Sequence, residues 1–298
     1  MKQTLTDNSL ANTPAPAPAP APAPEIRLHV LIACEESQAE CQAFRHLGHI
    51  AYSCDLKPCR RGANPEWHIH ADVLPLLHGS RRFVTQNGQS VQVPQWDLII
   101  AHPPCTYLCK MSSVHMWKDG QIDPDRYTRM LDARAFFFEC LNARAPYVAV
   151  ENPLPMARAQ LPQPSCFIQP SWFGVKYTKK TLYWLRNLPP IMAGTEYPNP
   201  KQFVRCSSGH YRARTFPQVA HALASQWSDY IIRDITTPNH SGHTAAPVVQ
   251  GSVVQGSVVQ GSVVQGSVVQ GSVVQGSVVQ GSVVQGSVVQ GSEAVPQR

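Results

Sequence analysis

The chain has 298 residues, enough for one or two domains, and its net charge of +6 is compatible with a polyanionic partner such as nucleic acid. No apolar run is long enough to cross a bilayer, and the nine cysteines show no framework spacing. These features exclude a membrane span and a disulfide-rich secreted scaffold. We expect a cytoplasmic protein, monomeric and with reduced thiols.

Low-complexity segments flank a single globular region. Residues 13–24 alternate Pro and Ala, and the pentamer Val-Val-Gln-Gly-Ser repeats nine times between Val248 and Ser292. An alternating Pro run forms an extended spacer, and a Val-Val period of five matches neither a strand nor a helix. We predict a disordered leader (1–24), a folded domain (25–237) and a tail (238–298) that is disordered rather than a shallow β-solenoid.

The folded region begins with a strand, a helix and a second strand, a βαβ unit. The first strand (27–33) is apolar on both faces, and the second ends at Asp55. In a parallel sheet the turn after the first strand, here Cys34-Glu35, approaches a nucleoside cofactor, and the acid accepts hydrogen bonds from ribose. Asp72, after a short third strand, is placed to reach an adenine amino group. A turn residue and a helix cap are the alternatives for these acids. Since no G-x-G fingerprint is present, a cofactor without phosphate such as adenosylmethionine fits this turn better.

Local signals define several boundaries. Ser37, with Glu40 three residues later, predicts a capping box at the start of the first helix. Asn87-Gly88 predicts a hairpin, Asp123-Pro124 opens a long amphipathic helix, and a final helix covers 217–232. No metal site is predicted, because the Cys and His spacing fits no common zinc pattern.

The residues with the most chemical potential follow two buried strands. The first strand (98–101) is stopped by Pro103-Pro104, so the chain leaves it in a stiff loop that carries Cys105. The second strand (147–150) ends in Glu151-Asn152. Parallel strands would direct both ends into one crevice. A thiol facing a carboxylic acid suits covalent catalysis on an electron-poor ring; a buried apolar thiol and an Asx turn are the structural alternatives.

Hydroxyl and cationic residues lie further along the chain. The loop after Cys105 includes Ser112 and has a composition suited to closing over a base and a phosphate. Lys179-Lys180 precede a later strand, and Arg212 and Arg214 lie in the turn before the final helix, where a phosphate can be bound.

Taken in chain order, these features resemble the DNA cytosine 5-methyltransferase family, particularly the short methylase-like proteins of phages and prophages. The resemblance rests on the acid after the second strand, Pro-Pro-Cys at 103–105, Glu-Asn at 151–152, the later basic pair and a Thr-Phe-Pro turn. It covers about Leu28 to Tyr230. It implies an α/β, Rossmann-like class I methyltransferase fold in a protein of a bacterial host or phage. It also implies S-adenosylmethionine as cofactor, DNA as partner, and methyl transfer to carbon 5 of cytosine.

The resemblance also implies roles for individual residues. Cys105 would attack carbon 6 of a cytosine flipped out of its duplex, Glu151 would hold or protonate the ring nitrogen, and Asn152 would brace the Cys105 loop. The implied cofactor contacts are Cys34, Glu35, Asp55, Asp72, His102 and Pro103. The implied substrate and DNA contacts are Lys179, Lys180, Ser112, Arg212 and Arg214.

The chain departs from the family in three places. The glycine-rich first turn is replaced by residues 33–37, Pro153 stands where valine is usual, and about thirty residues separate Leu185 from the final helix. That interval is too short for the usual target-recognition domain. Two alternatives therefore stay open. One is an amino-methyltransferase acting on N4 of cytosine or N6 of adenine, and the other is a catalytically decayed homologue that binds nucleic acid.

Overall fold

The computed structural model describes residues 26–203 and 215–237, together with the backbone of five segments of the repeat tail. The helices are α1 (Ala39–His46), α2 (Leu74–Leu77), α3 (Pro124–Leu141) and α4 (Pro217–Thr236). The strands before the tail are β1 (His29–Ala33), β2 (Ile50–Asp55), β3 (His68–His70), β4 (Arg82–Val84), β5 (Ser90–Gln92), β6 (Leu98–Ala101), β7 (Trp117–Lys118), β8 (Gln121–Ile122), β9 (Tyr147–Asn152), β10 (Cys166–Ile168), β11 (Tyr177–Thr178), β12 (Thr181–Arg186) and β13 (Lys201–Gln202).

Seven of these strands form a central sheet in the order β10-β12-β9-β6-β1-β2-β3. The five strands from β9 to β3 are parallel, whereas β12 is antiparallel to both β9 and β10. The predicted α/β fold with a mostly parallel sheet is confirmed. The strand order reverses at β1, which lies between β2 and β6, so a crevice opens outside the carboxyl ends of the strands at that point.

Helices cover both faces of the sheet, which explains why its strands are apolar throughout. In β6, Leu98 and Ile100 pack with α1 and α4, whereas Ile99 and Ala101 pack with α2 and α3. None of the described helices combines the length and the apolar composition needed to span a membrane.

Two predicted boundaries are confirmed and one is wrong. Asp123 caps α3 by accepting the Arg126 N–H at 3.0 Å, and the β4–β5 hairpin turns at Gly88 with φ +88°. The capping box at α1 was wrong. The carboxylate of Glu35 accepts the Glu40 N–H at 2.8 Å and thereby caps the helix from outside it, while the side chain of Glu40 turns towards the sheet edge.

The described tail segments have strand backbone, where the sequence predicts no regular structure. They pair in antiparallel order as β14 (Val253–Val254), β15 (Ser257–Ser262), β16 (Val268–Val274), β17 (Ser277–Val284) and β18 (Val288–Gly291). Valine favours extended backbone whatever the repeat period, and each copy of a repeat offers its neighbour an equivalent pairing partner. The sequence prediction considered only the period of the repeat, so it did not include these pairings.

A prediction for the hydrophobic core concerns Trp227 of α4. Its side chain is 0% exposed, packs on Tyr183 and donates its indole N–H to the Pro189 carbonyl at 3.1 Å. Trp227→Ala should lower the free energy of unfolding by about 3–5 kcal/mol, because it leaves a large cavity. The control is Trp117→Ala, at a ring that is 53% exposed, with an expected change of about 0.5 kcal/mol or less. Urea unfolding of both variants checks this, and equal losses would contradict the packing.

Candidate functional site

The register of the sheet aligns the carboxyl ends of its central strands. Ala33 pairs with both Cys54 and Ala101, and Ala101 pairs with Val150. The next residue of each strand therefore falls in a single row across the sheet. We call it the edge row, and it consists of His70, Asp55, Cys34, His102, Glu151 and Tyr183. Four predicted site residues thus belong to the edge row through backbone pairing alone.

The Cys105 loop lies directly beyond the edge row. Cys105 begins a single 3-10 turn and is a partly exposed residue. The loop is tied to the chain leaving β9, because the Lys110 N–H donates to the Leu154 carbonyl at 2.7 Å. The side-chain amide of Asn152 also donates to the Pro103 carbonyl at 3.4 Å. This contact is what a residue that braces the loop would make.

Cys105 has a second thiol as its partner. The Cys109 N–H donates to the Cys105 carbonyl at 3.0 Å, which places the two residues one turn apart. A hydrogen bond between the two side chains raises the pKa of Cys105 and lowers the pKa of Cys109 to about 5. Burial and the charges of Cys109 and Glu151 raise the pKa of Cys105 further. Both shifts favour the proton on Cys105 and the negative charge on Cys109. Sequence reasoning missed Cys109, although a spacing of four residues was the available signal.

Glu151 is the penultimate residue of β9 and has 18% of its side chain exposed. Burial raises its pKa, but a hydrogen bond with His102 and the charges of Lys179 and His102 outweigh burial, so the pKa lies below the ordinary value. Of the predicted basic pair, Lys179 is thus within electrostatic range of the site. Lys180 instead places its ammonium 4.4 Å from the centre of the Phe167 ring.

His102 lies between two carboxylates. Its Nδ1 is 3.3 Å from Glu151 and its Nε2 is 3.1 Å from Glu40. Both ring nitrogens are thus engaged within the protein, whereas the sequence predicts a cofactor contact. Glu40 was missed as a site residue, because its position at the start of α1 was interpreted as part of a capping box.

The remaining predicted cofactor residues lie at the ends of β1, β2 and β3. Burial is the largest cause that raises the pKa of Cys34, and the charges of Asp55 and Asp72 raise it further. Both carboxylates are therefore within electrostatic range of the Cys34 thiol. Asp72 accepts the Leu74 N–H at 3.0 Å, which is the capping contact named as its alternative role. Glu35 is 5% exposed and directs its carboxylate to α1, so its predicted contact with a cofactor stays a prediction.

Three predicted DNA contacts remain to be located. Ser112 lies 3.6 Å from the Cys109 sulfur and donates its hydroxyl to the Cys109 carbonyl at 2.9 Å. Arg212 and Arg214 lie outside the described residues. Within residues 26–203 and 215–237, no group of three or more His, Cys, Asp or Glu side chains is arranged to hold a metal ion.

Two surface cavities lie away from this site. One of about 300 Å³ is lined by Arg45 and Trp67, among others, and one of about 570 Å³ by Trp96 and Arg186, among others. Both are near the amino ends of the parallel strands, and neither is lined by a predicted site residue. An α/β sheet binds its ligands at the opposite edge, so we assign the site from the edge row and the Cys105 loop.

Comparisons with known proteins add little. No protein-family model matches the chain, and no curated protein does. Among solved structures, the chain is similar to an E. coli protein provisionally described as a DNA modification methyltransferase encoded within a prophage. The identity is 13% and the TM-score 0.32, over 53% of this chain and 46% of that one. This chain therefore matches less than half the length of that protein. The activity of this chain has to be inferred from its own site.

The thiol pair makes a prediction for alkylation by iodoacetamide. At pH 6.5, Cys109 should react faster than Cys166, whose pKa is raised by burial, because only thiolate attacks the reagent. Cys105→Ala removes the hydrogen bond that stabilises the Cys109 thiolate, so its pKa should rise and its rate at pH 6.5 should fall by about threefold to tenfold. Mass spectrometry of the labelled peptides measures both rates. An unchanged Cys109 rate in the variant would show that the two sulfurs do not share a proton.

Proposed function

We propose that this chain transfers a methyl group from S-adenosylmethionine to carbon 5 of cytosine in DNA, through a covalent adduct on Cys105. The observation that carries the proposal is that the Cys105 loop is hydrogen-bonded to the end of β9, the neighbouring parallel strand that carries Glu151. The Glu151 carboxylate is close enough for its charge to raise the pKa of the Cys105 thiol. Both side chains are partly exposed, so a substrate base can reach them.

The order of the sheet supports the methyltransferase fold that the proposal requires. The class I methyltransferase sheet implied by the sequence resemblance is parallel except for one strand near its edge. Here β12 is that strand, inserted between β9 and β10. The resemblance thus extends from a few sequence motifs to the topology of the sheet that holds them.

The cofactor fits the residues at the ends of β1, β2 and β3. Asp55 and Asp72 offer carboxylate acceptors, which suit the ribose hydroxyls and the adenine amino group. Cys34 at the end of β1 has φ +61°, so the turn has the left-handed backbone that a glycine would take. S-adenosylmethionine, when bound there, supplies the methyl group.

The protein's own groups account for the rest of the proposed chemistry. The proton of the Cys105 thiol moves to Cys109 as the sulfur bonds to carbon 6 of the cytosine, because the pKa shifts keep that proton on Cys105 until then. The ring nitrogen receives a proton from Glu151. The addition leaves carbon 5 electron-rich enough to accept a methyl group. The proton on carbon 5 then passes to water, the carbon–sulfur bond breaks, and the Cys105 sulfur recovers its own proton from Cys109. Lys179, close to Glu151, is placed to bind the base or its phosphate.

An amino-methyltransferase would transfer the methyl group directly to an exocyclic nitrogen and would need no thiol. A decayed homologue would bind DNA without reacting. Both alternatives predict that loss of the Cys105 sulfur has little effect on what the protein does with DNA.

The test is covalent trapping. Incubation with S-adenosylmethionine and a duplex containing 5-fluorocytosine should give an adduct that resists denaturant, because fluorine at carbon 5 cannot leave as a proton does. Cys105→Ser should give no adduct and no methylation, whereas Cys166→Ser, at the sheet edge, should retain both. Denaturing gel electrophoresis and tritium transfer measure the two results.

Each contrary outcome has a definite meaning. Methylation that persists in Cys105→Ser would establish amino-methylation, and an adduct that persists would exclude Cys105 as nucleophile. DNA binding by the wild-type protein without adduct or methyl transfer would establish the decayed homologue.

A further inference from the structure

A chain of three ionisable side chains lies behind the proposed nucleophile and its acid. Glu40 is 3.1 Å from Nε2 of His102, and Nδ1 of His102 is 3.3 Å from Glu151. The exposed fractions of these side chains are 0% for Glu40, 14% for His102 and 18% for Glu151. The chain therefore runs from the interior of the protein to the crevice, and Glu151 is its outer end.

The inner end is fixed in place. Glu40 accepts the Thr215 hydroxyl at 3.0 Å through one oxygen and faces His102 through the other. A carboxylate without exposed surface is unfavourable unless a cation or hydrogen bonds compensate it. Imidazolium is the form of His102 that donates hydrogen bonds from both ring nitrogens, so it satisfies Glu40 and Glu151 together.

The direction of the pKa shifts agrees with this geometry. Burial by itself lowers the pKa of His102, but Glu40 and Glu151 outweigh burial and raise it well above the ordinary value. The pKa of Glu151 is lowered. Near neutral pH the pair is therefore an imidazolium beside a carboxylate. Glu151 alone is then a poor acid at the pH where the proposed reaction needs one.

We propose that His102 is a positioning residue that holds the proton for Glu151, and that Glu40 keeps His102 charged. This inference rests on the proposed function, because it explains how the ring nitrogen of the cytosine obtains its proton. When Cys105 adds to carbon 6, Nδ1 of His102 gives its proton to Glu151, and Glu151 passes a proton to the ring nitrogen and is again a carboxylate. When the sulfur leaves, the ring nitrogen returns this proton through Glu151 to Nδ1. The protein groups thus end the cycle as they began it, and the one proton released overall is the proton that the methyl group replaces on carbon 5.

Other charged groups face this chain and limit the pH range of a test. Lys179 and the Cys105–Cys109 pair face Glu151, while Glu35 and Tyr183 face Glu40. The pKa of Cys109 is about 5 and that of Glu35 about 7, whereas that of Tyr183 is raised. Because Glu40 raises the pKa of Glu35 and His102 lowers it, the Glu35 titration also shifts in the variants, so each pH profile is compared with the NMR titration of His102.

The first experiment measures the charge of His102 in the free protein. In nitrogen-15 NMR of the imidazole rings, the His102 signals are those that disappear in His102→Gln. Both ring nitrogens should be protonated at pH 7, and Glu40→Gln should lower the midpoint of the His102 titration by about one pH unit or more. A neutral His102 ring at pH 7 would overturn the inference, whatever the activity of the protein.

The second experiment measures single-turnover methyl transfer as a function of pH. Because the pKa of His102 is raised, its proton is present at neutral pH and lost as pH rises through that value, so the wild-type rate should fall on the alkaline side. His102→Gln should lower the rate at pH 7 by about 100-fold and shift the optimum towards acid, because Glu151 must then hold the proton itself. Glu40→Gln should move the alkaline limb to lower pH.

The matched control is His78→Gln, since His78 forms a solvent-exposed pair with Glu139 at 2.7 Å and lies outside the site. It should leave the pH profile unchanged. A His102→Gln profile that is lower than the wild-type profile but identical in shape would show a purely structural role and overturn the inference. Absence of methyl transfer by the wild-type protein would instead refute the proposed function, and the NMR titration would still decide the charge of His102.

Discussion

The backbone ladder between β1, β6 and β9 is the constraint on which the rest of the site depends. Each pairing determines which residues lie side by side where the strands end. His102 therefore lies next to Glu151, and Cys34 lies next to His102. A shift of one residue in either pairing would send these side chains to opposite faces of the sheet. The apolar strands are buried on both sides and cannot slip without exposing their core residues. The stability of the core thus specifies the geometry of the edge row.

The carboxyl edge of the sheet concentrates charge in a place where charge is costly. Glu40 and Glu151 both contact His102, and burial together with Glu40 raises the pKa of Glu35 to about 7. Each carboxylate has its own compensation: the start of α1 for Glu35, His102 and Thr215 for Glu40, and His102 with Lys179 for Glu151. Replacing such a network by apolar residues is often neutral or stabilising. Its presence at the carboxyl edge of the sheet is therefore better explained by chemistry than by folding.

Hydrophobic periodicity and turn residues predicted the hairpin, both long helices and every strand of the central sheet except β10, because those features depend on neighbours in sequence. They also predicted that Cys105 and Glu151 would converge, since consecutive parallel strands end at one edge. They did not predict that Glu40 pairs with His102, which lies 62 residues away and is reached through α1 packing on the sheet. The local pattern instead indicated a capping box, because Glu35 satisfies the same backbone groups from a position that the pattern does not include.

The turn after β1 shows how a departure in sequence can preserve a backbone shape. The family resemblance implies glycines there, yet Cys34 and Gln38 adopt φ +61° and +59°, in the left-handed region that glycine occupies without strain. Each non-glycine residue in that region costs about 1–2 kcal/mol. Such strain persists where the surrounding structure fixes it, and functional sites are where it accumulates. Gln38 is held by hydrogen bonds to Ser53 and Asn64, and Cys34 is packed beside Asp55. The absence of glycine is therefore weaker evidence against a cofactor site than the sequence alone implies, because the turn retains the conformation for which glycine is normally needed.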